Sequence, residues 1–129
     1  MAEDLVGRMP FAGLLGVRVT GASAARVTAE LEVRAHLYTS GGVMHGGAIM
    51  SLADTLGAIG AYLALPESAT GTTTIESKTN FLAPAAEGVT VTAETVPLST
   101  GRRLSVWQTR VIRPDGKTVA VVTQTQLVL

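Results

Sequence analysis

Asp54 is the only charged side chain between Gly46 and Leu65, and its neighbours Ile49, Met50, Leu52, Ala53, Leu56 and Ile59 are apolar. A carboxylate in such company is a natural general base or nucleophile. The plainer alternative is a helix residue satisfied by local hydroxyls such as Ser51 or Thr55, or one on a polar stripe. Just upstream stand His45, Gly46 and Gly47. If a helix starts there, its first N–H groups have no intrahelical partner and sit at the positive end of the dipole. Glycines let a ligand oxygen approach closely, so this end could polarise a carbonyl or bind an oxyanion. Loop-to-helix punctuation is the plainer reading of the glycines taken alone.

Helix geometry ties the two features together. Gly46 and Asp54 are eight residues apart, about 12 Å along a helix axis and roughly 80° around it. One carbonyl cannot touch both on a single helix. If both serve one substrate, the carboxylate and the glycine come from different chains. Two antiparallel helices side by side in a twofold dimer would give two equivalent sites.

Composition narrows the chemistry. The chain has 129 residues, ten basic and ten acidic side chains, no cysteine, and only two histidines, His36 and His45. One domain over 1–129 is expected. Zero net charge argues against nucleic acid as partner. Thiolate catalysis and disulfides are excluded, and no H-E-x-x-H spacing suggests a metal. The start MAEDLVGRMP carries acids early and no long apolar core, so no signal peptide is read and a cytoplasmic address is expected. The run from Gly47 to Leu65 has a membrane-spanning length, but its central Asp54 and the lack of a flanking basic cluster favour a helix buried all round inside the protein.

The elements around this helix read as strands. Residues 2–9 suggest a short helix ended by Pro10, and 14–20 (LLGVRVT) a first strand. Residues 25–34 alternate Val27, Ala29, Leu31 and Val33 against Thr28, Glu30, Glu32 and Arg34, the pattern of a half-buried strand. A loop with a Gly-Gly break spans 35–44, and the helix follows over 45–64. Strands are expected at 70–82, 88–98, 102–113 (alternating Leu104, Val106, Thr109 and Val111, with one slip) and 117–128, with a hairpin signal at Pro114-Asp115-Gly116. The class is α+β: a long antiparallel sheet must cover its apolar face, and the central helix is the only candidate. The helix has more apolar surface than one small sheet hides, which favours a second copy.

HGGAIMSLADT at 45–55 resembles the motif of the hot-dog-fold acyl-CoA thioesterases of the PaaI-type and 4-hydroxybenzoyl-CoA thioesterase-like group. PFAGLLGVRV at 10–19, TTIESKTNFLAPA at 73–85 and STGRR at 99–103 resemble further segments of that family, in the same order. The resemblance implies a hot-dog fold, a curved sheet wrapped around one long helix, paired into homodimers that form homotetramers, with sites at the subunit interface. It places Asp54 as the catalytic carboxylate, Gly46 as the carbonyl-polarising N–H with Gly47 beside it, and His45 as a supporting residue. Many members carry Asn or Gln where this chain has Thr39, so Thr39 is the candidate for positioning water or the thioester, with Ser40 and Tyr38 nearby. Arg102 and Arg103, after Gly101, are candidates for the CoA phosphates. Asn80, Phe81 and Pro84 are candidates for the acyl pocket, which Met50 and Tyr62 could also touch. Trp107 reads as packing and His36 as a loop residue. The implied activity is hydrolysis of an acyl-CoA thioester, with no cofactor beyond the CoA of the substrate and no nucleic-acid or membrane partner. Dehydration on the same fold and non-catalytic acyl-CoA binding are the alternatives.

Overall fold

A computed structural model describes residues 2–129, with side chains from Leu5 onward. The order is α1 (Ala2–Gly7), α2 (Pro10–Leu15), β1 (Arg18–Ala22), β2 (Val27–Glu32), α3 (Gly46–Leu63), β3 (Thr72–Phe81), β4 (Thr90–Thr100), β5 (Leu104–Ile112) and β6 (Thr118–Val128). The strands form one antiparallel sheet in the order β1-β2-β4-β5-β6-β3. α3 lies between β2 and β3 in sequence, and the chain crosses the sheet there, so β3 ends on the far edge. The helix packs against β2, β3, β4, β5 and β6. This is the hot-dog arrangement.

Several expectations need correction. The segment read as a strand from Leu14 begins as helix: Pro10 starts α2 at a position where its missing N–H costs nothing. Gly16 ends it at φ 87°, in the left-handed region, and β1 starts only at Arg18. Within the loop at 35–44, Ala35–Leu37 form a single 3-10 turn containing His36. The slip read into β5 is also absent. Its inward set is Ser105, Trp107, Thr109 and Val111, a regular alternation in which two members are polar. Each finds a partner: Trp107 Nε1 donates to Ser105 Oγ at 2.8 Å, and the hydroxyls of Thr95 and Thr109 pair at 2.6 Å. Buried polar atoms need such partners. Trp107 is fully buried, as expected, and lies against Gly60, where an added Cβ would come within 2.6 Å of the ring.

α3 is not buried all round. Leu52, Ala53, Leu56, Ile59 and Gly60 face the sheet, whereas Met50, Asp54 and Tyr62 are exposed. Those three stand four and eight residues apart, one above the other on a single helix face. Among the described residues, α3 is the one helix long and apolar enough to cross a membrane, and half of it is buried within this fold.

Candidate active site

The helix opens on a histidine cap. His45 is extended (φ −62°, ψ 137°), and its Nδ1 accepts the N–H of Gly47 at 2.8 Å. The N–H groups of Ala48 and Ile49 both reach the His45 carbonyl. Gly46 N–H donates to nothing among the described residues. The four orphan donors of the helix start thus reduce, at the surface, to the one on Gly46. Gly47, expected beside it in contact with the substrate, spends its N–H on the cap. A ring nitrogen that accepts this bond carries no proton, so Nδ1 of His45 supports the helix start.

Gly46 faces an open recess of about 410 Å³ lined by Met44, Ile49, Phe81, Pro84 and Ala85. Phe81 lies close enough that a Cβ on Gly46 would come within 3.2 Å of its ring. The sequence paired Asn80 with Phe81 as pocket candidates, but adjacent strand residues face opposite sides. A register shift between Thr74 and Glu76 leaves Ile75 without a cross-strand partner. Before this bulge, Thr74 pairs with inward Gln126; after it, Ser77, Thr79 and Phe81 pair with Gln124, Val122 and Ala120. The extra residue therefore turns Phe81 toward the helix. Asn80 turns to the outer face, where Lys78 Nζ donates to its Oδ1 at 2.8 Å.

Asp54 stands at the other end of the ladder and is exposed. Ser51 and Thr55 do not satisfy it: their hydroxyls donate to the carbonyls of Gly47 and Ser51, each at 2.7 Å. The carboxylate is instead met from the sheet. Thr74 Oγ1 lies 2.7 Å and Gln124 Nε2 3.2 Å from its Oδ1. Neither residue was foreseen. Glutamines that continue an apolar alternate set were the available signal, since Gln124 and Gln126 follow Ala120 and Val122 on the inward side. One and two helical turns beyond Asp54, Ala58 and Tyr62 join Leu5, Arg8, Met9 and Ile59 around a smaller recess of about 180 Å³.

The two halves are not brought together within one chain. Asp54 meets the row of Gln126, and Gly46 meets Phe81 opposite Ala120. Six residues of strand separate the rows, roughly 20 Å. The turn Gly101, Arg102, Arg103 lies at the Asp54 end: Val128 N–H donates to the Arg103 carbonyl at 2.8 Å, two residues beyond Gln126. Both arginines are exposed and, among the described residues, in no ion pair. Thr39 is exposed on the tight turn before the helix, its N–H donating to Val43 carbonyl at 2.8 Å and Gly41 and Gly42 following at positive φ.

The chain matches the model of the thioesterase superfamily over residues 41–120. It is 31% identical over 110 residues to 1,4-dihydroxy-2-naphthoyl-CoA thioesterase 2 of Arabidopsis thaliana, covering 81% of this chain and 69% of that one. Its fold superimposes on a mutant of thioesterase PA1618 from Pseudomonas aeruginosa with a TM-score of 0.92 at 29% identity, covering 100% of this chain and 94% of the other. For thioesterase HI1161 of Haemophilus influenzae the TM-score is 0.90 at 27% identity, with 100% and 90% covered.

Proposed function

This chain belongs to the thioesterase superfamily, and from that premise we propose that it hydrolyses an acyl-CoA thioester, aryl or medium-chain, to the free acid and CoA. The observation that carries the reading is a pair of groups on one helix: the N–H of Gly46, without a partner among the described residues, and the exposed carboxylate of Asp54. A thioester carbonyl seated against Gly46 N–H gains electrophilicity, and the same donor stabilises the oxygen as it becomes an oxyanion. Asp54 then takes a proton from water as the water oxygen attacks the carbonyl carbon. Alternatively it attacks that carbon itself and forms an anhydride that water later opens. In both routes the C–S bond breaks and CoA leaves as the thiolate. The aryl end of the substrate range has support in the name of the Arabidopsis relative.

The site needs two copies. Its halves lie about 12 Å apart along α3, and Met50, Asp54 and Tyr62 leave that helix face uncovered. β3 is a ten-residue edge strand that exposes Ile75 and Phe81, and a long edge with apolar side chains is a template for a second chain. A twofold dimer would set one chain's Gly46 against its partner's carboxylate, and pairs of dimers would give the tetramer. Arg102 and Arg103 are the proposed phosphate contacts. The reaction draws on no metal or added cofactor, and the proposed setting is the cytoplasm.

The test is thiol release from benzoyl-CoA, phenylacetyl-CoA and octanoyl-CoA, followed with DTNB, by wild type and Asp54→Asn. The carboxylate is expected to be worth about 10²–10⁴-fold in rate, with the assembly unchanged by size-exclusion chromatography. Full hydrolysis by Asp54→Asn would remove Asp54 from the mechanism. CoA-ester binding without thiol release by the wild type would favour a binding module.

A further inference from the structure

Beneath Asp54 lies a polar patch that nothing in the reaction outlined above uses. Thr72, Thr74, Gln124 and Gln126 meet on the inner face of β3 and β6, and both glutamines are essentially fully buried. Two long amides in a core are costly unless their groups are paired, so their arrangement calls for a purpose. Gln124 Nε2 has two hydrogens and two oxygens to receive them: Asp54 Oδ1 at 3.2 Å and Gln126 Oε1 at 3.0 Å. Gln126 Nε2 donates to Thr72 Oγ1 at 3.1 Å, and Thr72 donates to Leu127 carbonyl at 3.0 Å. This chain of bonds fixes which way each amide points. Gln124 Oε1 is buried without a partner among the described residues, so the amide accepts a cost in order to aim its nitrogen at the carboxylate.

Thr74 has one hydroxyl hydrogen and two acceptors, Asp54 Oδ1 at 2.7 Å and Gln126 Oε1 at 2.5 Å. A charged acceptor binds more strongly than a neutral one, so the ionised carboxylate takes it. The helix is shaped to admit the amide. Gly57, three residues after Asp54, has no side chain, and a Cβ there would lie 2.2 Å from Gln124 Cδ. All contacts from this patch reach Oδ1; among the described residues Oδ2 accepts no hydrogen bond.

We propose that Gln124 and Thr74 are positioning residues that clamp Oδ1 of Asp54 against the sheet, so that Oδ2 is the oxygen presented to the attacking water or the thioester carbon. This rests on the reading of Asp54 as the reactive carboxylate. The clamp acts on rate and leaves substrate binding alone, because neither residue is on the exposed face. Gly57 belongs to the same device as the gap through which Gln124 reaches the helix.

The experiment measures kcat and KM for benzoyl-CoA and octanoyl-CoA with Gln124→Met, Thr74→Val and Thr74→Ser, beside Asp54→Asn. Met keeps the length of Gln without its donors, and Val keeps the shape of Thr without its hydroxyl. Each of these two is expected to lower kcat by about tenfold or more, the worth of one hydrogen bond to a charged group, and to leave KM within about twofold. Thr74→Ser restores the hydroxyl and is expected to bring kcat back to within about threefold of wild type. In the Asp54→Asn background neither change should lower the residual rate further. Thr74→Val and Gln124→Met at wild-type kcat, or Thr74→Ser as slow as Thr74→Val, would overturn the clamp while an inactive Asp54→Asn left the catalytic reading standing. An active Asp54→Asn would overturn both. Should Gln124→Met fail to fold, as judged by circular dichroism, the Thr74 pair decides alone, since β3 is a half-exposed edge strand.

Discussion

Nδ1 of His45 accepts the N–H of Gly47 at 2.8 Å, and the N–H of Gly46, one residue earlier, has no partner among the described residues. The histidine therefore sorts two consecutive glycines into different roles. One closes the helix start, and the other keeps its N–H available, as the proposed contact to a substrate oxygen requires.

That assignment separates capping from base chemistry at His45. Asn is among the best cap residues and Ala among the worst, and losing a cap costs about 1 kcal/mol. His45→Ala is expected to lower the urea unfolding free energy by about that amount, whereas His45→Asn keeps most of the stability and the hydrolysis rate. A His45→Asn enzyme as impaired as one lacking the Asp54 carboxylate would make the imidazole a proton carrier.

The single donor at Gly46 is testable by removing only its hydrogen. Pro is tolerated at the first helical position, and the extended backbone of His45 suits a following proline. Gly46→Pro and Gly46→Ala both crowd the Phe81 ring, which sits 3.2 Å from the position of the added Cβ. Only the proline loses the N–H. Gly46→Pro is expected to fall below Gly46→Ala in kcat by about 10²-fold, the scale of one oxyanion donor. Co-folded mixtures of Gly46→Pro and Asp54→Asn chains should regain activity, because a mixed dimer carries one site with both groups intact. Mixtures that stay inactive would place both groups in one subunit's site.

Arg102 and Arg103 sit in an exposed turn without acidic partners among the described residues. If they hold CoA phosphates, replacing both with Ala should raise KM for benzoyl-CoA several-fold, at about 0.5 kcal/mol for each exposed contact, and leave kcat unchanged. The same change should have no effect on the phosphate-free pantetheine thioester. An equal loss on both substrates would assign the arginines a structural role.

A pH effect is expected at the β5–β6 turn. The Arg113 side chain hydrogen-bonds Asp115, and the Lys117 N–H adds a second donor; together they hold the carboxyl at about 2, below its ordinary 3.8. A depressed carboxyl pKa contributes stability above the unfolded value and loses it as pH falls through the folded value. The stability difference between wild type and Asp115→Asn should therefore be constant above about pH 4 and close as pH falls toward 2. Urea melts at stepped pH read this directly, and a gap that persists to the lowest pH would separate the turn's stability from this charge.

The amino-acid sequence by itself determined the central helix, most of the strands and the candidate pair on that helix. A lone carboxylate in an apolar helix, glycines at its start, and the fixed rise per residue put Asp54 and Gly46 on one helix and apart. These are local properties, and local chain geometry carries them. Tertiary structure decided which groups stay available. His45 claims Gly47 through a rotamer, a bulge at Ile75 turns Phe81 inward and Asn80 outward, and β6 brings Gln124 to Asp54 across 70 positions of sequence. Polar residues on an inner strand face look like outer ones until the strand's neighbours are known. Their role is set by what packs opposite them, and spacing along the chain does not encode that.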